Sequence, residues 1–310
     1  MRDGGKGKAV AEHFAAADAR PDFICIGAQK AGTSWLYHQL TLHPDFWMPP
    51  IKELHYFDML GKGNWGNSPR RADERDQLFL DKINEIGGAG YLDLESYSAL
   101  FAPKATLLSG DITPSYSILN EEIIEQVVSN FKNLKVIFLA RDPVERAWSQ
   151  LSMQVRLRNL QLADPTDPDE VIRCLLEPRF LLRSYPSKIV ARWKRHVPSD
   201  LFRVYFFDDL QRDPAGLRHS ILEFLGADPE KRSGELPVDY NGQGAFEKLT
   251  LTDRVRSHLA KFFQRELEAC AAELNGPAKS WPARYGFSLL WVLFDLIDDF
   301  DLLAWCAWIG

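Results

Sequence analysis

Largely apolar runs alternate with amphipathic segments along this 310-residue chain, and the alternation predicts most of its secondary structure. The apolar runs, which are typical of strands buried on both faces of a sheet, occupy residues 23–26, 105–109, 136–140 and 201–207. Apolar positions at helical spacing predict helices that begin at Thr33 or cover residues 121–131, 143–158, 185–196, 214–225 and 252–274. Because strands and helices take turns, we predict an α/β protein with a doubly wound parallel sheet and helices on both faces.

Three segments fall outside this pattern. Residues 1–20 are small and charged, and they predict a disordered lead-in to a folded domain that covers residues 21–282. Residues 59–90 are rich in glycine, asparagine and charged residues, which predicts a long irregular insertion. Residues 283–310 form a predicted C-terminal extension, an amphipathic helix in which large apolar residues recur at helical spacing.

The C-terminal extension has two interpretations. In the first, its apolar face packs on the domain or on a partner subunit of a homo-oligomer. In the second, residues 284–310 make peripheral contact with a membrane, as Trp305, Trp308 and Ile309 suggest. The acidic residues on the polar face speak against the second interpretation, because anionic lipids favour lysine and arginine there.

Charge and cysteine content narrow the functional classes. The net charge of −6 offers nucleic acid no cationic field, so any anion site must be local and a nucleic-acid partner is not expected. The four cysteines lie far apart and show no metal-binding spacing, which favours buried free thiols. We find neither a signal-peptide pattern nor an apolar run of about 20 residues, and we therefore expect a cytoplasmic protein.

The segment between the first strand and the first helix reads Gly27-Ala28-Gln29-Lys30-Ala31-Gly32-Thr33-Ser34. A glycine loop that leads into a helix can cradle an anion with backbone N–H groups and the helix dipole. The glycine spacing is that of the nucleotide-binding loop G-x-x-x-x-G-K-[ST], but Thr33 replaces its lysine and Lys30 supplies a cation earlier. This arrangement favours a donor whose terminal group differs from a γ-phosphate. A glycine turn without a ligand is the alternative.

A second motif, R-D-P-x-x-R-x-x-S, runs from Arg141 to Ser149. Arg141 follows an apolar strand and thus lies at the strand's carboxyl end, where open α/β sheets bind ligands. Its guanidinium suits bidentate recognition of a phosphate. For Asp142, a cap on the following helix is an equally good interpretation.

Together the two motifs resemble those of sulfotransferases that use 3′-phosphoadenosine-5′-phosphosulfate (PAPS), and the resemblance covers roughly residues 21–282. It implies a P-loop-like fold, PAPS as cofactor with PAP as product, and no metal. The first motif corresponds to the 5′-phosphosulfate loop and the second to the 3′-phosphate site. The cofactor-binding residues implied in this way are Lys30, Ala31, Gly32, Thr33, Ser34, Trp35, Arg141 and Ser149.

Residues 51–58, which include Lys52-Glu53-Leu54-His55-Tyr56-Phe57, resemble the K-E-x-H-[FY]-F segment of carbohydrate-acting sulfotransferases. The resemblance implies that Glu53 is the general base, whereas a histidine has this role in the cytosolic small-molecule branch. Lys30 would stabilise the leaving group, and His55 would orient Glu53 or the acceptor. The alternative is that Glu53 and Lys52 are solvated surface charges.

The acceptor is less well defined. Residues 110–116 resemble the family's G-E-x-[ST]-P-x-Y, with Asp111 in place of glutamate and with Ile112 where glycan-acting members commonly carry lysine. The missing lysine speaks against a heparan-like acceptor, and Asp111 and Tyr116 could equally be structural. The hydroxyl or amine acceptor stays open among small-molecule, lipid-like, glycan and carrier-bound classes.

Two rival functions remain at this point. A P-loop kinase or NTPase would need lysine at position 33 and a magnesium carboxylate near position 141, and the sequence has neither. A non-catalytic, nucleotide-binding relative would act through the hydrophobic tail. The joint presence of Lys30, Glu53, Arg141 and Ser149 favours the enzyme.

Overall fold

The structure, a computed structural model, describes residues 19–60, 73–86, 90–231 and 249–287. Its strands are β1 (Phe23–Gly27), β2 (Gly110–Ile112), β3 (Lys135–Ala140) and β4 (Phe202–Phe206). They form one four-stranded sheet in the order β2-β1-β3-β4, and every neighbouring pair is parallel. The predicted α/β class with a parallel sheet and surrounding helices is therefore confirmed.

The α-helices follow in chain order. They are α1 (Thr33–Thr41), α2 (Glu74–Ile86), α3 (Leu94–Ala99), α4 (Glu121–Asn130), α5 (Pro143–Arg156), α6 (Pro168–Leu175), α7 (Pro178–Leu181), α8 (Pro186–Lys194), α9 (Phe207–Arg212), α10 (Pro214–Leu225), α11 (Asp253–Phe262) and α12 (Gln264–Glu273). Short 3₁₀ helices cover Ala102–Lys104, Pro114–Ile118, Leu182–Ser184, Gly276–Ser280 and Pro282–Tyr285. Side chains cap several starts: Asn120 accepts the Ile123 N–H of α4, and Asp213 accepts the Gly216 N–H of α10.

The middle of the sheet explains the apolar runs. All five residues of β1 are buried, as are the last five of β3, so both faces of these two central strands are covered. The chain passes from β1 to β2 on one side and then to β3 on the other side of β1. Strand order thus reverses at the β1/β3 pair, the position where open parallel sheets bind ligands outside the carboxyl ends of their strands.

The described residues divide into two compact units. The first lies within Met1–Arg141 and Lys188–Phe246 and contains the whole sheet. The second lies within Asp142–Ser187 and Glu247–Gly310 and is built from helices in its described part. In the second unit Glu266 is a buried carboxylate that accepts bonds from Ser187 N–H and from the Ser187 hydroxyl, at 2.8 and 2.9 Å.

The prediction of a strand at residues 105–109 is wrong, because β2 begins only after this segment, at Gly110. Glycine is required here because a Cβ at position 110 would lie 2.5 Å from the carbonyl oxygen of Phe23, its partner on β1. In the preceding segment, Ala105 has a positive φ of 52° and Leu108 forms only an isolated bridge with Phe46. The chain therefore turns where the apolar pattern predicted a strand.

Two helical assignments also change. The irregular insertion predicted at residues 59–90 contains helix α2, whose Phe79 and Ile83 are buried one turn apart. The single helix predicted over residues 252–274 is two helices, because Phe263 between them leaves the helical conformation at φ −92° and ψ 9°. Within residues 59–90, positions 61–72 and 87–89 lie outside the described residues.

The predicted lead-in lies outside the described residues except at positions 19 and 20, and the predicted C-terminal helix lies outside them from residue 288 onward. In the described ranges, no helix is both long enough and apolar enough to cross a membrane.

Candidate functional site

The loop between β1 and α1 has the geometry of an anion cradle. Gly32 is the N-cap of α1 and adopts the left-handed conformation with φ 98°. No side chain caps α1, and its first turn contains no acidic residue. The N–H groups at the positive end of the helix dipole are therefore not occupied by a capping carboxylate. Thr33 and Trp35 are buried at this end of the helix, while Ser34 is exposed.

Gly32 also allows a close approach between two elements of the first unit. A Cβ at position 32 would lie 2.7 Å from Cδ2 of Leu210 on α9, and the positive φ disfavours any other residue. The same helix begins at Phe207, whose ring lies 4.2 Å from the guanidinium carbon of Arg141. Helix α9 thus supports both sequence motifs.

The two motifs meet directly at Lys30 and Arg141. Arg141 follows the last residue of β3, and its Nη1 donates to the carbonyl oxygen of Lys30 at 2.6 Å. Ala28 N–H donates to the carbonyl oxygen of Leu139 at 2.8 Å. These contacts place the predicted phosphosulfate loop and the predicted phosphate-binding arginine at the carboxyl ends of the adjacent strands β1 and β3.

Ser149, the second residue of the predicted 3′-phosphate site, lies on α5 in the second unit and is half-buried. Its role stays a prediction. Asp142 in the same unit caps α5 by accepting the Val144 N–H at 2.9 Å, and it also accepts the Tyr285 hydroxyl at 2.9 Å. Burial raises the pKa of Asp142 to about 6, against the effect of these hydrogen bonds and of the Arg284 charge.

Residues 52–58, which we call the base segment, bring four charged side chains together in the first unit. Lys52 donates to the carboxylate of Glu53. Nε2 of His55 lies 3.6 Å from Oε2 of Glu53, and its Nδ1 lies 2.8 Å from Oδ2 of Asp58. The imidazole is therefore held between two carboxylates. The side chain of Glu53 is 29 % exposed, so it is accessible from solvent.

This arrangement separates the protonation states of Glu53 and His55. The hydrogen bond to Asp58, followed by the interaction with Glu53, raises the pKa of His55 to about 9. Burial raises the pKa of Glu53, but the interaction with His55 and the charge of Lys52 outweigh burial and lower that pKa to about 2. At neutral pH His55 is consequently a cation with no free lone pair, and Glu53 is an anion that can accept a proton.

The three candidate catalytic residues are among the seven non-glycine residues with positive φ in the described part of the chain. Lys30, Glu53 and His55 have φ values of 71°, 64° and 52°. A non-glycine residue in this region costs on the order of 1–3 kcal/mol, and such strain is typical of active sites. The surrounding contacts must therefore hold these residues in place.

The amino-acid sequence also identifies the family. Residues 21–231 match the sequence model of the sulfotransferase family. The chain belongs to the sulfotransferase family.

Individual relatives share this assignment. A membrane-associated sulfotransferase of Dictyostelium discoideum, kil1, is 30 % identical over 136 residues, which are 44 % of this chain and 23 % of that protein. Human bifunctional heparan sulfate N-deacetylase/N-sulfotransferase 2 is 24 % identical over 225 residues, which are 68 % of this chain and 22 % of that protein. The chain thus spans less than a quarter of the length of these two curated relatives.

A solved structure agrees with the fold. The sulfotransferase from Alicyclobacillus acidocaldarius aligns with a TM-score of 0.60 at 22 % identity, over 84 % of this chain and 98 % of that chain. At this level of identity the similarity shows the fold alone, which is the predicted one.

Two features of this sulfotransferase family member were not predicted as part of the site. Asp58 contacts His55, and its position three residues after His55 was the available signal. Asp111 is 1 % exposed and accepts three hydroxyl hydrogen bonds, although its sequence motif left a purely structural role open. In the described part of the chain, Cys25 and Cys270 are buried free thiols, as predicted.

The raised pKa of His55 predicts how the stability of this family member depends on pH. A folded-state pKa near 9, above the ordinary 6.5, means that the charged imidazole stabilises the fold fully below pH 6.5 and that this contribution is lost as the pH rises through 9. The difference in free energy of unfolding between the wild type and His55→Asn should therefore shrink by on the order of 2–3 kcal/mol across that window.

Urea unfolding at a series of pH values between 6 and 9.5 measures this difference. Comparison with the variant cancels the titration of the other histidines, including His43, whose pKa is lowered by burial. A difference that does not change with pH would contradict the ion-paired arrangement of His55.

Proposed function

We propose that this protein transfers a sulfuryl group from PAPS to an acceptor hydroxyl or amine by in-line displacement, with Glu53 as general base. The observation that carries the proposal is the 2.6 Å bond from Arg141 to the carbonyl of Lys30, which joins the two donor motifs at the β1/β3 reversal point. A glycine turn with no ligand would not need this connection to a second anion-binding motif 111 residues away.

The donor-side residues fit a phosphosulfate. The N-terminus of α1, without a capping side chain or an acidic residue in its first turn, presents N–H groups to an anion. Residues 31–35 would hold the 5′ end, and Arg141 with Ser149 would hold the 3′-phosphate. When bound, PAPS supplies the sulfuryl group and a phosphate leaving group. Lys30 would place its ammonium beside the bridging oxygen, where negative charge develops.

The acceptor-side residues support Glu53 as the base. A general base must be unprotonated at the working pH; of the two candidates Glu53 satisfies this condition, because His55 is held protonated between Glu53 and Asp58. His55 and Asp58 would orient the carboxylate. Proton transfer from the acceptor to Glu53 would require Lys52 or His55 to weaken its hold on that carboxylate, since the resting pKa near 2 makes Glu53 a weak base.

The geometry speaks against a kinase or NTPase. Thr33 is the first residue of α1, the place where that motif puts lysine, and the available cation is Lys30, before the helix. The carboxylate nearest in sequence to Arg141 belongs to Asp142, which caps α5 and accepts the Tyr285 hydroxyl. A Mg²⁺ ligand at that position would have to give up these bonds. The proposal that no metal takes part rests on this chemistry.

The acceptor class is a separate proposal. Ile112 is buried on β2 in register with Cys25, so this position belongs to the core and provides no cation for a polyanionic acceptor. The charges of Lys52, Glu53, His55 and Asp58 balance one another. We therefore favour an uncharged small-molecule, lipid-like or carrier-bound acceptor over a heparan-like one. A panel of acceptors from these classes, incubated with ³⁵S-labelled PAPS and the full chain, tests both the activity and this order of preference.

Arg141→Ala should weaken PAP binding selectively. Loss of a charge-assisted phosphate contact should cost about 1.5–3 kcal/mol for PAP, while adenosine 5′-phosphosulfate, which lacks the 3′-phosphate, should bind almost unchanged. Isothermal titration calorimetry with both ligands measures the difference.

Arg203→Ala is a matched control. Its guanidinium carbon also lies over a phenylalanine ring, that of Phe224 at 5.1 Å, and it also donates to a backbone carbonyl, that of Ser199 at 2.8 Å. We expect no change in PAP affinity for this variant. Equal losses for PAP and adenosine 5′-phosphosulfate in Arg141→Ala would remove Arg141 from the 3′-phosphate site.

A further inference from the structure

Asp111 is a buried carboxylate on β2 whose two oxygens are surrounded by hydroxyl groups. Oδ1 accepts the Thr113 hydroxyl at 2.7 Å, and Oδ2 accepts the hydroxyls of Tyr116 at 2.6 Å and Tyr97 at 3.2 Å. All three donors are fully buried. A hydroxyl has a single hydrogen, and each of these three hydroxyls donates it to Asp111. Each keeps only lone pairs and can therefore only accept a hydrogen bond from any other partner.

Two of these lone pairs receive backbone N–H groups of the base segment. The Tyr116 oxygen accepts the Tyr56 N–H at 3.0 Å, and the Thr113 oxygen makes a longer contact with the His55 N–H at 3.5 Å. Leu54 N–H bonds directly to Asp111. Three consecutive backbone amides between Glu53 and Asp58 are thus bound by Asp111, either directly or through one hydroxyl.

Residues 53–55 need such support because they belong to neither a helix nor a strand. Glu53 and His55 also have positive φ values, a conformation that neighbouring contacts must maintain. The Phe57 ring packs on both tyrosines, with its centroid 4.5 Å from that of Tyr97 and 4.7 Å from that of Tyr116, and so helps to fix their hydroxyls.

We infer that Asp111 is a positioning residue for Glu53, which it holds in register by fixing the hydroxyl hydrogens of Thr113 and Tyr116 so that both oxygens accept the N–H groups of residues 55 and 56. This inference rests on the proposed role of Glu53 as base. Asp111 itself lies in the core.

The chain offers a matched pair of variants. Tyr116→Phe and Tyr97→Phe each remove one hydroxyl bond to Asp111 and keep the buried ring. Only the Tyr116 hydroxyl also accepts a backbone N–H of the base segment. Tyr116→Phe should lower kcat about 10- to 10²-fold through misplacement of Glu53, while Tyr97→Phe should stay within about threefold of wild type, with similar losses of Tm. Calorimetric PAP affinity should be unchanged in both.

Asp111→Asn provides the second measurement. Its amide N–H₂ must face one of the hydroxyls, which then accepts and turns its own hydrogen toward a backbone N–H. We expect kcat to fall and the pKa of His55 to drop, because Glu53 then moves away from His55 and the ion pair weakens. A purely structural loss would lower the active fraction without moving the pKa of His55 in the folded fraction.

A catalysis-independent measurement separates this inference from the proposed function. The pKa of the His55 imidazole, followed by NMR and assigned with His55→Asn, should lie near 9 in the wild type, where Glu53 and Asp58 face the ring and Lys52 contacts the other oxygen of the Glu53 carboxylate. It should fall toward 6.5 in Tyr116→Phe and stay high in Tyr97→Phe. Equal shifts in the two variants, or none in either, would overturn the inference. Normal NMR behaviour in a protein that sulfates no acceptor would overturn only the proposed function.

Discussion

Lys30→Ala is expected to reduce kcat by about 10²-fold or more while PAP affinity stays within a few-fold of wild type. The negative charge that Lys30 would meet develops on the bridging oxygen mainly in the transition state. Removal of the Lys30 ammonium should therefore lower kcat and leave the binding of PAP largely unchanged. The carbonyl of Lys30 that accepts Arg141 is backbone and persists in the variant. Steady-state kinetics with PAPS, together with calorimetry on PAP, measure the two quantities separately.

Lys30→Arg is the matched control for charge. It keeps a cation at the same backbone position, whose φ of 71° is equally strained for alanine and arginine. We expect partial retention of kcat in this variant. An alanine variant with an unchanged kcat and a raised KM for PAPS would assign Lys30 to ground-state binding instead.

Glu53→Gln is expected to lower turnover about 10²- to 10⁴-fold with PAP binding intact, because the amide keeps the shape of the side chain and removes the proton acceptor. His55→Asn should cost less, since the imidazole is protonated at neutral pH and acts through Glu53. It should also move the acidic limb of kcat/KM upward, because Glu53 then loses the partner that lowers its pKa most.

The pH profile decides between the two residues. With Glu53 as base, the acidic limb should lie well below the range of an ordinary imidazole and should vanish in Glu53→Gln. If Glu53→Gln keeps near-normal turnover while His55→Asn is inactive, the base is His55 and the resemblance to carbohydrate-acting members fails at this residue.

The elements that carry the proposed donor residues could be predicted from the sequence because each depends on local patterns. The apolar run of β1, the glycine spacing and the start of α1 at Thr33 follow one another within twelve residues and were predicted with their correct order. The position of Arg141 followed from the apolar run of β3. What the sequence could not show is the bond between Arg141 and Lys30, because it depends on which strands are neighbours.

Strand β2 could not be predicted because its own residues carry little signal. It has three residues, one of which is glycine, a residue that is depleted in strands. Its place is determined by the contact with Phe23, 87 residues away in sequence, which a pattern of apolar residues does not contain. The role of Asp111 was missed for the same reason, since its partners come from three separate segments.

The sheet order separates the two ends of the proposed reaction. The proposed donor residues follow β1 and β3, the central pair of strands. The backbone of residues 54–56 is instead bound, directly or through one hydroxyl, by Asp111 on β2, an edge strand of the described sheet. Substitutions on an edge strand disturb one neighbour instead of two. We therefore expect selection for a new acceptor, in nature or in the laboratory, to accumulate changes beside Glu53 within residues 52–60 and 112–116, while Glu53, the residues that hold it and residues 27–34 stay almost constant.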